Sequence, residues 1–301
     1  MSGHVGVDFL RGIVMRAPNA VETMSFYVEQ WGLTHLETRD NTVYFRGSSS
    51  EPFVYALRQD SVFGIDYVNF GMLTRERVDL LHARVLASGG QVHSPPGLLD
   101  TPGGGYGFMA LDPDGRRLRF VADVTPLADS EDMLARPRKV THVVLNTPDM
   151  ERTQAFYETA LGFRVSDYSA NQMVFLRCAS DHHSIALNRS SYPSVNHVAF
   201  EMSTIDSYMR AIGRMRTRGQ ICAWGPGRHG PGNNPFAYFV SPSGFVIEFT
   251  AEVQQIDEAT HEVQVWPRDV PEKMDVWMTA GPPTPAMRTV MQGRPDPGFG
   301  T

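Results

Sequence analysis

A chain of 301 residues is long enough for two domains of ordinary size, and 42% hydrophobic with 20% charged residues is the composition of a soluble globular protein. No apolar run approaches the roughly 20 residues that a membrane span needs, and a net charge of −6 without a lysine/arginine cluster speaks against nucleic-acid binding. Cys178 and Cys222 are too few for a disulfide framework, and the N-terminus MSGHVGVDFLRG lacks a signal-peptide pattern, so a cytoplasmic location is expected.

The first unit, residues 8–33, reads as a strand followed by a helix bearing Phe26-Tyr27 and closed by Gly32. Asn19 stands three before Glu22, a capping-box spacing, and Val21, Met24, Val28 and Trp31 follow helical periodicity and are expected in the core. Strands are expected near 36–38, 42–45, 53–57 and 67–72, then a helix near 75–88 and further strands ending at 117–122. The polar stretch 126–139 reads as a linker. Beyond it the pattern starts again. LRGIVMRAPNAVETMSFYVEQWGL matches VTHVVLNTPDMERTQAFYETALGF, IDYVNFGMLT matches VNHVAFEMST, and DPDGRRLRFVAD matches SPSGFVIEFTAE, at offsets of about 130 residues. Asp149 and Ser203 are candidate N-caps, and Gly89, Gly162 and Gly219 mark helix ends. Strand, helix and three strands, four times over, predicts an α+β protein. Its tandem βαβββ modules, two per domain, would form two similar curved-sheet domains. The expected division is residues 1–125, linker 126–139, second domain 140–260 and a proline-rich arm 261–301 with a short helix at Pro285–Gln292. Such an arm would lie over a domain or a neighbouring subunit, and a homo-oligomer is expected.

The two copies differ where it matters for chemistry. His142 faces Gly12, His197 faces Tyr67, Glu248 faces Arg119 and His183 faces Phe53. Glu248 lies in the apolar run FVIEFT, where a carboxylate is costly unless paired or bound to a metal, the alternative being the wet face of a half-buried strand. Two imidazoles and a carboxylate from separate strands form the facial triad of non-haem iron(II) sites. The second half therefore reads as a metal-binding domain and the first as its degenerate scaffold.

On these motifs the chain resembles the type I extradiol ring-cleaving catechol dioxygenases of the vicinal oxygen chelate, or glyoxalase-like, superfamily over residues 8–252. The resemblance implies that fold and carries over residue by residue. His142 in VTHVVLN, His197 in VNHVAFE and Glu248 in VIEFTAE match the metal ligands, and His183 in HSIAL matches the acid–base histidine. His229 in GPGRHG matches a histidine facing dioxygen, and Tyr238 in FAYF a tyrosine bonding the substrate oxygen. Ala237 and Ser241 depart from the pattern without touching a functional group. The implied activity is extradiol cleavage of a catechol by dioxygen at iron(II), with manganese(II) possible and aromatic degradation the setting. The substrate-binding residues would be Trp224, His183, His229 and Tyr238. Trp224 stands where relatives taking acidic side chains carry arginine, which implies a neutral or apolar substituent. The alternatives are a non-redox isomerase or transferase of the same superfamily, which usually has a fourth protein ligand, or a metal-free binding protein.

Other candidates have plainer readings. His182 is expected on the opposite strand face from His183, in solvent. His4, His35, His82, His93 and His261 are expected to be structural or exposed, and Cys178 to pack rather than react. Gly103–Gly105 lacks the Lys-Ser/Thr and helix of a phosphate loop.

Overall fold

In the computed structural model, residues 6–130 and 133–298 are described; His4 lies outside them. The first half opens with β1 (Phe9–Ala17), a short π-type helix (Phe26–Trp31), β2 (Thr34–Arg39), β3 (Thr42–Arg46) and β4 (Tyr55–Gln59). The unit then repeats as β5 (Gly64–Gly71), α1 (Arg75–Ala87), β6 (Gln91–Leu98), β7 (Tyr106–Leu111) and β8 (Arg117–Ala122). The second half follows the same order. It has β9 (Pro137–Thr147), α2 (Met150–Thr159), β10 (Arg164–Ser169), β11 (Met173–Arg177) and β12 (Ile185–Arg189). Then come β13 (Ser194–Met202), α3 (Ile205–Thr217), β14 (Trp224–Arg228), β15 (Pro235–Val240) and β16 (Val246–Thr250).

Each half is one mixed sheet in which two βαβββ modules meet at their first strands. The eight-stranded sheet runs β2-β3-β4-β1-β5-β8-β7-β6, and the nine-stranded sheet has the corresponding order with β17 (Gln264–Trp266) added beside β10. Among the described residues, no helix is long and apolar enough to cross a membrane.

The helices lie between the sheets, and the main apolar cluster contains residues of both halves, including Ile13, Trp31, Phe120, Val143, Phe200 and Phe249. Trp31 stacks on Phe249 at 3.6 Å between ring centroids. Arg214 of α3 donates from Nε to the Gln30 carbonyl and from Nη2 to the Trp31 carbonyl, both at 2.7 Å, covering the end of the first-half helix. The two halves thus share one core rather than each building its own. Burial of this shared layer leaves the opposite face of each sheet for smaller clusters, Val14, Tyr44, Phe53, Ala56 and Tyr67 in the first and Val144, Phe175 and Ala186 in the second.

Local expectations hold unevenly. Asp149 accepts from Arg152 N at 3.0 Å as an N-cap, and Gly32, Gly89, Gly162 and Gly219 all have left-handed φ at helix ends. The cap of α3 is Thr204 rather than Ser203, accepting from Ser207 N at 3.0 Å. The Asn19/Glu22 spacing caps no helix. Residues 18–23 form turns, Asn19 donates to the Pro242 carbonyl, and Val21 is 49% exposed. Of the four residues read as core by helical periodicity only Val21 fails, because it lies in the turns; Trp31 is buried and Met24 and Val28 pack against the main cluster.

The tail is more structured than a bare arm. It contributes β17, one turn of helix α4 (Pro271–Met274) and α5 (Pro285–Gln292), two of them starting at a proline, where the missing N–H costs nothing. Asp296 near its end joins a buried charge cluster. Arg116 donates from Nη1 to Asp112 and Asp114 at 3.1 and 3.0 Å, from Nε to Asp296 at 2.8 Å, and from Nη2 to the Asn146 carbonyl. All four charged side chains are at most 3% exposed. One guanidinium therefore ties the first half, β9 and the tail together. Arg116→Met is expected to cost about 3–5 kcal/mol, because buried Asp112 and Asp296 lose their counter-charge and Asp114 keeps only Arg152 at 3.3 Å. Urea unfolding measures it; a loss below about 1 kcal/mol would put the cluster with ordinary surface ion pairs.

Candidate metal centre

Three adjacent strands place the candidate ligands. In the β9–β13–β16 ladder, Ala199 pairs with His142 on one side and with Glu248 on the other, and His197 pairs with Val144. Ile247 and Phe249 enter the shared core, so the alternation of β16 turns Glu248 to the other face. That face is not wet: Glu248 is 0% exposed, His142 2% and His197 4%. Glu248 Oε2 lies 3.3 Å from His142 Nε2 and 3.1 Å from His197 Nε2. One ligand atom from each of the three residues lies within 4.8 Å of the others, and among the described residues no fourth protein ligand joins them.

The donor set fits a divalent cation. Glu248 Oε1 and His197 Nε2 are buried without a hydrogen-bond partner, a costly arrangement for converging polar atoms unless a cation satisfies them. Burial pushes the Glu248 carboxyl up, but the two imidazoles beside it outweigh that and hold it far below the ordinary carboxylate range. Burial also lowers His197, keeping it a neutral donor. Its Nδ1 lies 2.8 Å from Asn196 Oδ1, an acceptor, so Nδ1 carries the hydrogen and Nε2 presents its lone pair. Asn196 is held in turn through Asn146, whose amide donates to the Met291 carbonyl of α5 at 2.9 Å.

The first half shows what the same framework does without ligands. Arg119 pairs with Asn69 as Glu248 pairs with Ala199. Its Nε donates to Asn69 Oδ1 at 2.9 Å and its guanidinium lies over Tyr67 at 4.4 Å. A Cβ on Gly12, the counterpart of His142, would stand 2.0 Å from the Val54 carbonyl oxygen. No cation belongs beside that arginine.

Around the triad, the structure gathers the remaining candidates. The His183 ring is 4.1 Å from that of His142, and burial, then the neighbouring imidazoles, push its pKa well below the ordinary value. His229 Nε2 and the Tyr238 hydroxyl lie 3.0 Å apart. Burial pushes His229 down to about 4 and raises Tyr238, so both are neutral near pH 7. Trp224 stacks on Tyr238 at 4.9 Å and donates its indole N–H to the Gly281 carbonyl at 2.9 Å. It forms an aromatic wall with Phe236, on which His229 stacks at 4.0 Å. Cys178 packs as expected; its thiol is pushed up to about 12 by burial.

His182 corrects the sequence reading. Residues 182–184 lie in a bend and not a strand, so alternation does not separate the histidine pair; His182 is 0% exposed and its Nδ1 lies 3.0 Å from His183 Nδ1. The tail also supplies parts that no motif announced. Asp275 accepts backbone N–H groups from Arg228, Trp277, Thr279 and Ala280 at 2.8–3.2 Å, and His229 bridges Asp275 in the backbone ladder. Asp275→Ala is expected to lower turnover roughly 10–100-fold through misplacement of His229, while metal affinity changes little. Steady-state kinetics beside metal titration checks this, and a matched loss of metal affinity would contradict it.

Comparison with known proteins places the fold. Residues 139–249 match a family model described as the Glyoxalase/Bleomycin resistance protein/Dioxygenase superfamily. A solved structure titled as the Mn(II)-bound glyoxalase from Novosphingobium aromaticivorans is 37% identical, with 94% of each chain covered and a TM-score of 0.88. The chain belongs to this superfamily. Metapyrocatechase 2 of Cupriavidus necator is 35% identical over 133 residues, 44% of this chain and 40% of that protein, so the match spans less than half of that relative. Biphenyl-2,3-diol 1,2-dioxygenase of Paraburkholderia xenovorans is 24% identical over 253 residues, covering 78% of this chain and 84% of that one. The dioxygenase resemblance read from the motifs is thus matched by superfamily relatives bearing such names.

Proposed function

We propose that this protein cleaves a catechol-type ring by the extradiol route, using dioxygen at a divalent metal, iron(II) or manganese(II), held by His142, His197 and Glu248. The observation that carries the reading is the combination of a buried, three-ligand centre with His183, His229 and Tyr238 around it. Three protein ligands leave room in an octahedron for two catechol oxygens and dioxygen. A metal there supplies a template and an electron path between the two substrates. The protein supplies geometry and protons. His183, neutral and buried, accepts a hydroxyl proton from the catechol and returns one later; the negative charge of the bound catecholate raises its pKa towards the working range. Tyr238 stays protonated and donates to a substrate oxygen, and His229 hydrogen-bonds the oxygen substrate.

In this reading residues 1–125 are scaffold, 140–260 carry the chemistry and 261–301 brace it. The wall of Trp224, Phe236 and Tyr238 favours a neutral or apolar ring substituent. The nearby cation Arg228 is committed to Asn233 and Glu252 at 3.0 and 2.8 Å and is not offered to a substrate carboxylate.

The relative titled a Mn(II)-bound glyoxalase raises a second reading, a metal-dependent isomerisation without dioxygen. One experiment separates them. After anaerobic loading with iron(II) or manganese(II), a panel of catechols with apolar, aryl and carboxylated substituents is added with oxygen. Oxygen consumption and a yellow ring-opened product are expected, strongest with apolar or aryl catechols. No uptake with any catechol, together with conversion of a hemithioacetal under nitrogen, overturns the proposal in favour of the isomerase. A preference for carboxylated catechols overturns the substrate class alone.

A further inference from the structure

The buried pair His182–His183 continues into Asp167 on β10. His182 Nε2 lies 3.1 Å from Asp167 Oδ2, completing a line from Asp167 through His182 to His183. His182 is 0% exposed, and Asp167 and His183 are each 3% exposed. The tail fixes the far end of this line. Trp266 of β17 donates its indole N–H to Asp167 Oδ2 at 2.7 Å, and Gln264 donates its backbone N–H to Oδ1 at 2.9 Å. Both groups can only donate, so both carboxylate oxygens are acceptors. His182 Nε2 must therefore be the third donor. Burial lowers the His182 pKa, and the hydrogen bond and charge of Asp167 only partly oppose it, so the ring is neutral. A neutral imidazole with hydrogen on Nε2 has a bare Nδ1. That bare nitrogen faces His183 Nδ1, which must then carry the hydrogen. His183 is left with a lone pair on Nε2, across the ring from His182. Packing closes over the pair: a Cβ on Gly232 would stand 3.2 Å from His182 Nδ1 and 3.3 Å from His183 Cε1.

We propose that His182, held by Asp167, is a positioning residue that fixes His183 in the Nδ1–H tautomer and leaves Nε2 as the working base. Its value to catalysis rests on the function proposed above; the tautomer does not. The logic is that of a carboxylate orienting a catalytic imidazole, lengthened by one ring. The tail strand Gln264–Trp266 serves the reaction without approaching the substrate, because it keeps Asp167 an acceptor.

Nitrogen-15 NMR of the metal-free protein, labelled at histidine, reads the tautomer directly. His183 is expected with a protonated Nδ1 and a bare Nε2; the opposite pattern overturns the proposal. In the iron-loaded protein, His182→Phe keeps bulk but neither accepts nor donates. It is expected to lower kcat at least about tenfold with KM changed less than about threefold. His182→Gln can accept from His183 through Oε1 and donate to Asp167 through Nε2, and is expected to retain kcat within about threefold. A Phe variant as fast as the parent, or a Gln variant as slow as a folded Phe variant, overturns the role. Should the Phe variant not fold, the wild-type tautomer and the Gln variant decide. Failure of every catechol to consume oxygen, with the expected tautomer present, would sink the proposed reaction and leave this assignment standing.

Discussion

Glu248→Gln is expected to remove metal uptake and, with it, all measurable oxygen consumption. The substitution keeps the shape of the side chain and deletes the one negative charge of the triad, leaving two neutral imidazoles that hold a divalent cation weakly. Loss of a residue that merely supports a ligand costs about 10–100-fold in affinity; loss of the carboxylate ligand itself should exceed that. Stability offers an independent readout. The parent protein should gain about 2.7 kcal/mol when free iron(II) reaches a hundred times its Kd, whereas the variant should show no metal-dependent rise in Tm. Without metal the variant should be no more stable than the parent near pH 7, because a carboxyl held below its ordinary range favours the folded state while ionised and Gln cannot ionise. Equal iron affinity and an equal Tm rise in both proteins would take Glu248 out of the metal site.

The triad was legible because the chain carries its own control. Setting Glu248 against Arg119 and His142 against Gly12 shows that one copy can be emptied of ligands while its sheet persists, and strand alternation then gives the face. The modules were legible for the same reason, since repeated strand–helix punctuation survives where residue identities do not. Four features escaped. The turns at 18–23 carry helical periodicity without a helix, because spacing alone does not report where the chain bends. His182 was read by strand alternation in a segment that is a bend. The tail was visible as a proline-rich arm with its short helix at Pro285–Gln292, but not for what it touches. Its grip on Asp167, His229 and Asn146 depends on contacts across roughly 50 to 150 residues of sequence, beyond any local pattern. The shared core escaped too, because hydrophobic periodicity marks a buried face and not the partner that buries it.

His183→Ala is expected to leave metal and catechol binding close to normal and to lower turnover by about 10²–10⁴-fold, the range for removing a positioned acid–base group. The separation of roles follows from geometry. His183 touches His142 ring to ring but is not one of the three converging ligands, so its removal leaves the donor set intact. What disappears is a neutral base inside a site where burial keeps water from substituting for it. The variant should therefore show an unchanged iron stoichiometry and a catechol KM within about threefold of the parent, with the loss confined to kcat. The contrast with Glu248→Gln is the informative part: one variant lacks metal and activity together, the other lacks activity alone. An iron-loaded His183→Ala protein with near-normal oxygen uptake would remove His183 from the chemistry, while loss of iron in that variant would instead make it part of the metal centre.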